Sequence, residues 1–187
     1  MRSIIVAIIA LGVLAGPAAA GELDFDFGLQ ATTTGWPNDH GGGPILAGTF
    51  WFQPWIGATF LGKEHYATVD DRYLSYYSFN VAVRQPIERF RFVGALGAVH
   101  QHEESTAAIM EQPVQAVFGV GDGIRHRMGG RAGVSLGLPL SSYKNGDCYV
   151  ALDLDTTIFA ESERGPRWMA SAGLSLGFTY DFARAAR

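Results

Sequence analysis

A single cysteine, Cys148, is all the 187-residue sequence offers, so no disulfide can form within the chain and packing and hydrogen bonds must hold the fold. An oxidising compartment remains compatible with that. Charged residues make up only 17% of the chain and the formal net charge is −4. Lysines and arginines are not gathered into the patch that phosphate binding needs, which argues against nucleic acid as a partner. After the first twenty residues no apolar run approaches the roughly 18 residues of a helical membrane span. Gly119, Gly121 and Gly123 superficially resemble a phosphate loop, but no helical pattern follows them, and they fit better as places where neighbouring strands approach closely. Linkers, low-complexity tracts and long-period repeats are missing too, so residues 21–187 are expected to form one domain.

The first twenty residues differ from the rest. Arg2 gives a positive start, Ile4 to Leu14 is apolar, and Pro17-Ala18-Ala19-Ala20 ends in small residues. This is the three-part pattern of a cleaved secretory signal peptide, expected to be cut after Ala20; the alternative is an uncleaved helical anchor. No cysteine follows the apolar run, so lipid modification of the N-terminus is not indicated. Losing Arg2, the one charged residue of that segment, takes the net charge from −4 to −5.

Hydrophobic residues at 48%, aromatics at 12%, 24 glycines and a mean hydropathy of +0.09 would suit a soluble β-sandwich as well as a membrane barrel, so pattern must decide. The dominant pattern has period two. Leu23, Phe25, Phe27 and Leu29 alternate with Glu22, Asp24, Asp26, Gly28 and Gln30. Trp168, Ala170, Ala172, Leu174, Leu176, Phe178, Tyr180 and Phe182 alternate with small or polar residues, and Val150, Leu152, Leu154, Thr156 and Ile158 alternate with Ala151, Asp153, Asp155 and Thr157. Each is a strand with one greasy face. Aspartates facing an apolar core would be costly; in a transmembrane barrel they face a polar interior while the aliphatic side chains face lipid. A soluble, lipocalin-like barrel with a greasy cavity would show the opposite polarity.

Further strands are expected near 45–52, 55–61, 73–84, 89–100, 113–124 and 131–138, with turns at Gln53-Pro54, Gln85-Pro86-Ile87-Glu88, Met128-Gly129-Gly130 and Asn145-Gly146-Asp147. Long connections (36–44, 63–72, 102–112) alternate with short ones after Phe52, Arg84 and Arg127, as in outer-membrane barrels. Trp51, Phe52, Trp55, Tyr73, Tyr76, Tyr77, Trp168, Tyr180 and Phe182 lie near strand ends, where interfacial girdles sit; ordinary core aromatics are the alternative. The list counts nine strands, but a single-chain barrel with both termini on one side needs an even number. The expected fold is therefore all-β, an antiparallel up-and-down transmembrane barrel of eight strands, with ten as the alternative. The surplus strand is sought between Arg131 and Ile158.

With Ala18-Ala19-Ala20, the opening strand Leu23-Asp24-Phe25-Asp26-Phe27-Gly28 and the closing strand Gly173–Phe182, the chain resembles the small eight-stranded outer-membrane proteins of the OmpA and OmpX type. The resemblance spans the whole mature region as an architecture. It implies location in the cell outer membrane, contact with outer-membrane lipid, a monomeric state and insertion by the outer-membrane assembly machinery. Phe182 has the character of that machinery's C-terminal aromatic signal, although Ala183-Arg184-Ala185-Ala186-Arg187 follows it.

Two clusters invite chemistry. His100-Gln101-His102-Glu103-Glu104 puts His100, His102 and Glu104 on one side of an extended strand, within reach of one divalent cation; a hydrated strand end is the plainer reading. About nine residues, Phe90 to Ala98, would cross the hydrocarbon as a tilted strand, so His100 belongs beyond the apolar band. Arg125-His126-Arg127 is expected in a turn at the other end of the barrel, about 40 Å away. Lipid A deacylases of the PagL type are similar in size and use a histidine, a serine and a carboxylate, but place the serine two residues after the histidine. Here that position is His102, and Ser105 is out of step. The expectation is a non-enzymatic barrel with no cofactor, its interior filled by Asp24, Asp26, Gln30, Asp153, Asp155 and Arg or Tyr partners. At eight strands an open pore is not expected. The alternatives are a lipid-modifying hydrolase with His100 or His102 as base, or the soluble lipocalin-like binder.

Overall fold

A computed structural model describes residues 21–67, 69, 71–120, 124–160 and 165–185; the expected signal peptide lies outside the described residues. Eight antiparallel strands follow one another in a closed barrel: β1 (Glu22–Thr34), β2 (His40–Gln53), β3 (Ile56–Ala67), β4 (Arg72–Ile87), β5 (Phe90–Ser105), β6 (Arg125–Tyr143), β7 (Gly146–Phe159) and β8 (Trp168–Asp181). The barrel closes where β1 pairs with β8, from Glu22↔Asp181 to Thr34↔Met169. Gly28 shows how tightly it closes there. A Cβ on it would sit 2.1 Å from the Leu174 carbonyl oxygen.

The alternation in the sequence becomes an inside and an outside. Asp24 is 1% exposed whereas Leu174 and Leu96 are 62% and 67% exposed, an inversion of the water-soluble arrangement. Phe25, Phe27, Leu29, Phe60, Phe79, Val81, Leu152 and Leu154 belong to the same outer wall. Such a wall is stable only against hydrocarbon. The strands run 12 to 19 residues, longer than the roughly 9–11 that cross a bilayer, so the barrel projects beyond it.

Short turns at 54–55, 88–89 and 144–145 share one end with both barrel termini. The longer connections at 35–39, 68–71, 106–124 and 160–167 share the other. At this loop end the strands are longer than expected: β3 and β4 pair as far as Ala67↔Arg72, inside what reads as a loop.

The surplus strand is the one expected over 113–124, and not one between Arg131 and Ile158. Residues 106–118 form two short helices, α1 (Thr106–Glu111) and α2 (Pro113–Phe118), in the β5–β6 connection. Ser105 caps α1 through its side chain, Pro113 sits in the first turn of α2, and Gly119 ends α2 in the left-handed conformation at φ 67°. An apolar run this short has no decisive period, and the proline selects helix. The expected Met128-Gly129-Gly130 turn disappears with that strand; those residues lie inside β6.

Polar layers fill the barrel. Toward the turn end, Asp24 accepts from Trp51 and Arg91 and, at 2.8 Å, from the Thr179 hydroxyl, while Tyr149 donates to Asp26 at 2.6 Å. In the middle Lys63 pairs with Asp155, Arg131 approaches the same carboxylate at 3.6 Å, and Ser175 donates to Asp153 at 2.6 Å. An apolar cluster of Leu61, Tyr76, Val99, Phe159 and Met169 packs among these polar groups. Arg72 closes the loop end, joined to Asp39 at 2.7 Å and Glu103 at 2.9 Å. Two expected girdle aromatics belong to these layers: Trp51 and Tyr76 point inward and are buried, because each follows the inward parity of its strand. Trp55, Trp168, Tyr180 and Phe182 are exposed, as a girdle requires.

Candidate functional site

Removing one strand from the count moves β6 by a whole barrel height. Arg125, His126 and Arg127 therefore enter β6 at the loop end, directly beside the end of β5, and not 40 Å away. The pairing is His102↔His126 and His100↔Met128. Alternation puts His100 and His102 on the outer face of β5, with Gln101 and Glu103 buried inside the barrel.

Three imidazoles converge there. His100, His102 and His126 each offer a ring nitrogen within 4.8 Å of the others'. His100 Nε2 lies 3.2 Å from His126 Nδ1, and His100 Nδ1 lies 2.9 Å from the Met128 sulfur. Ring centroids are 4.6 Å apart for His100 and His102, 4.9 Å for His102 and His126, and 5.3 Å for His100 and His126. His100 follows Ala98, the last apolar outward residue of β5, and so lies beyond the apolar band. Partial burial and the neighbouring His126 hold its proton affinity below the ordinary histidine range. Both effects favour the neutral ring.

The sequence expectation of His100 and His102 side by side matches this geometry. Glu104 does not join them: the converging third group is His126, which reading along the chain places elsewhere. Parity along β5 names the first two. The third becomes visible only when residues 106–118 are read as helical, which brings 126 opposite 102.

The β5–β6 connection returns over the cluster. Gly119 lies against the His102 ring so closely that a Cβ would come within 2.3–2.5 Å of three ring atoms. Thr106 is fastened to Asp71 by its backbone N–H at 3.0 Å and by its hydroxyl, which tethers α1 to the neighbouring β3–β4 loop. His102 is buried although it points outward from the barrel wall.

A serine does stand across from His102, in the pair Ser75↔His102. Its hydroxyl donates to Glu64 Oε2 at 2.7 Å. An activated serine would instead present its proton to an imidazole, itself oriented by the carboxylate.

No family model matches the chain, and no curated protein matches it either. Solved structures do. Neisserial surface protein A aligns with a TM-score of 0.57 over 87% of this chain and 97% of its own, at 8% identity. The outer membrane protein OprG of Pseudomonas aeruginosa gives 0.52 over 87% and 96%, at 10% identity. The N-terminal β-barrel domain of OprF from the same organism gives 0.50 over 87% and 98%, at 14% identity. The fold is that of the small eight-stranded outer-membrane barrels. At these identities the likeness concerns architecture alone, and the histidine cluster must be argued from its own geometry.

Proposed function

We propose that the chain is an exported outer-membrane barrel protein, closed to diffusion and without catalytic activity, whose work is done by its loop end as envelope structure or surface contact. Residues 1–20 serve as its cleaved signal peptide, the assembly machinery inserts the barrel, and the monomer resides in lipid with the loops outside. The outer-membrane location is supported by the exposed apolar wall and its aromatic rim.

The observation that carries the closed state is the middle layer. Lys63 of β3 reaches across to Asp155 of β7, and Arg131 of β6 meets the same carboxylate. Such a layer spans the lumen from opposite walls. The space left beside Asp26, Lys63, Arg131, Asp153 and Asp155 is a cavity of about 80 Å³, room for a few waters and not for a hydrated solute stream. The apolar cluster of Leu61, Tyr76, Val99, Phe159 and Met169 fills more of the lumen. The non-catalytic reading is supported by Ser75, whose proton is committed to Glu64.

Purified protein reconstituted in a planar bilayer tests this. The expected record shows no unitary conductance steps, while the same preparation shifts its gel mobility between unheated and boiled samples. Reproducible steps from heat-modifiable protein would overturn the closed state. Recovery of the exported protein in the soluble fraction would overturn the membrane location.

A further inference from the structure

We infer that His100, His102 and His126 form a binding site for a borderline divalent transition-metal cation of the zinc type, clasping β5 to β6 at the root of the helical outer loop. The inference rests on the histidine geometry and is independent of whether the lumen conducts.

Tetrahedral zinc holds imidazole nitrogens at about 2.0–2.1 Å, which places two ligand nitrogens of one ion about 3.3 Å apart. His100 Nε2 and His126 Nδ1 already stand at 3.2 Å. All three donors fall within 4.8 Å, so a modest ring rotation of His102 completes the set. The backbone supplies this spacing: two ligands alternate on one strand and the third is the cross-strand partner of the second.

Met128 contributes orientation. With its sulfur 2.9 Å from His100 Nδ1, the favoured arrangement puts the proton on Nδ1, directed at the thioether. The lone pair is then on Nε2, the nitrogen that faces His126. A metal-bound histidine is commonly fixed in this manner through its second nitrogen. Three imidazole nitrogen donors suit zinc, copper or nickel and disfavour magnesium and calcium, which demand oxygen. Three protein ligands leave a fourth position for water.

Gly119 gives the site a mechanical consequence. It rests on the His102 ring, so fixing that ring with a metal also fixes the surface on which the end of α2 is seated. Cation binding at the rim would therefore stiffen the β5–β6 loop.

The test uses untagged mature protein, refolded in detergent micelles and stripped with chelator, titrated calorimetrically with Zn²⁺ and separately with Mg²⁺ and Ca²⁺. One Zn²⁺ should bind per chain, with no heat from the other two ions. His126→Gln should weaken binding by about 100-fold or more, since even partners of ligands affect affinity 10- to 100-fold. Glu104→Gln should stay within a few-fold of the parent. X-ray absorption at the zinc edge should report three imidazoles. Heat-modifiability on a gel verifies that each variant is folded. Failure of the parent to bind, retention of parental affinity by folded His126→Gln, or equal loss in Glu104→Gln would each overturn the assignment.

Discussion

Lys63 and Asp155 meet inside the barrel from opposite walls, one on β3 and one on β7, and both are buried. Asp155 also faces Arg131 at 3.6 Å, so two buried cations share this one carboxylate. Asp155→Asn should therefore cost about 3–5 kcal/mol, the range for stranding a buried charge. Replacing Lys63, Asp155 and Arg131 together by Met, Leu and Met should cost much less, because none of the three is then left as an unpaired buried charge. Urea unfolding of both variants in lipid vesicles checks the difference. Equal destabilisation would show that the pair acts through shape and not charge.

The outer wall gives a depth-dependent prediction. Leu174 lies midway along β8 between Trp168 and Tyr180, which are both partly exposed at its ends. Leu174→Arg should destabilise the barrel by about 2–4 kcal/mol and Tyr180→Arg by about 0–1 kcal/mol, following the cost of arginine across a bilayer. The same unfolding assay reads both. Comparable losses at the two positions would mean that β8 does not cross the hydrocarbon as its exposure pattern says.

Why the barrel was legible, and the third histidine was not, follows from what each residue meets. In β1, β7 and β8 every second side chain faces hydrocarbon and the others a polar lumen, so the environment writes a period of two directly into the sequence. Residues 113–118 have no such alternating environment. Pro-Val-Gln-Ala-Val-Phe is apolar but for Gln115, and a short, mostly apolar run reads equally as strand or helix. Taking it for a strand inverts the direction of β6 and sends His126 to the wrong end. The inward Trp51 was legible in principle. Trp51 and Phe52 are neighbours and cannot both face lipid, and Trp51 shares parity with the buried Thr49 and Ile45. Aromatic character alone does not distinguish a girdle from a lumen plug.

Gly119 has a positive φ and no room for a side chain. Gly119→Ala adds the left-handed penalty of about 1–2 kcal/mol and a methyl group in the place of the His102 ring. The loop should lift from the wall while the barrel stays closed. Limited proteolysis from the outer face of vesicles should cut the variant within residues 106–124 faster than the parent, with the heat-dependent gel shift unchanged. Unaltered cleavage would mean that the loop is seated by contacts other than Gly119.

The same loop should touch lipid. Gly119 packs against His102 on the outward side of the barrel wall, which seats the end of α2 beside the wall near where the apolar band ends. Met110, Val114 and Phe118 on the α1–α2 segment are exposed, and Glu111 is its one charged residue. Apolar side chains at that height favour the boundary between headgroups and acyl chains, as amphipathic surface helices do. A nitroxide attached at Phe118→Cys in a Cys148→Ser background should collide more often with lipid-soluble oxygen than with a water-soluble paramagnetic relaxant once the protein is in vesicles. Preference for the water-soluble relaxant would place the loop in solvent and leave its apolar surface free for another partner.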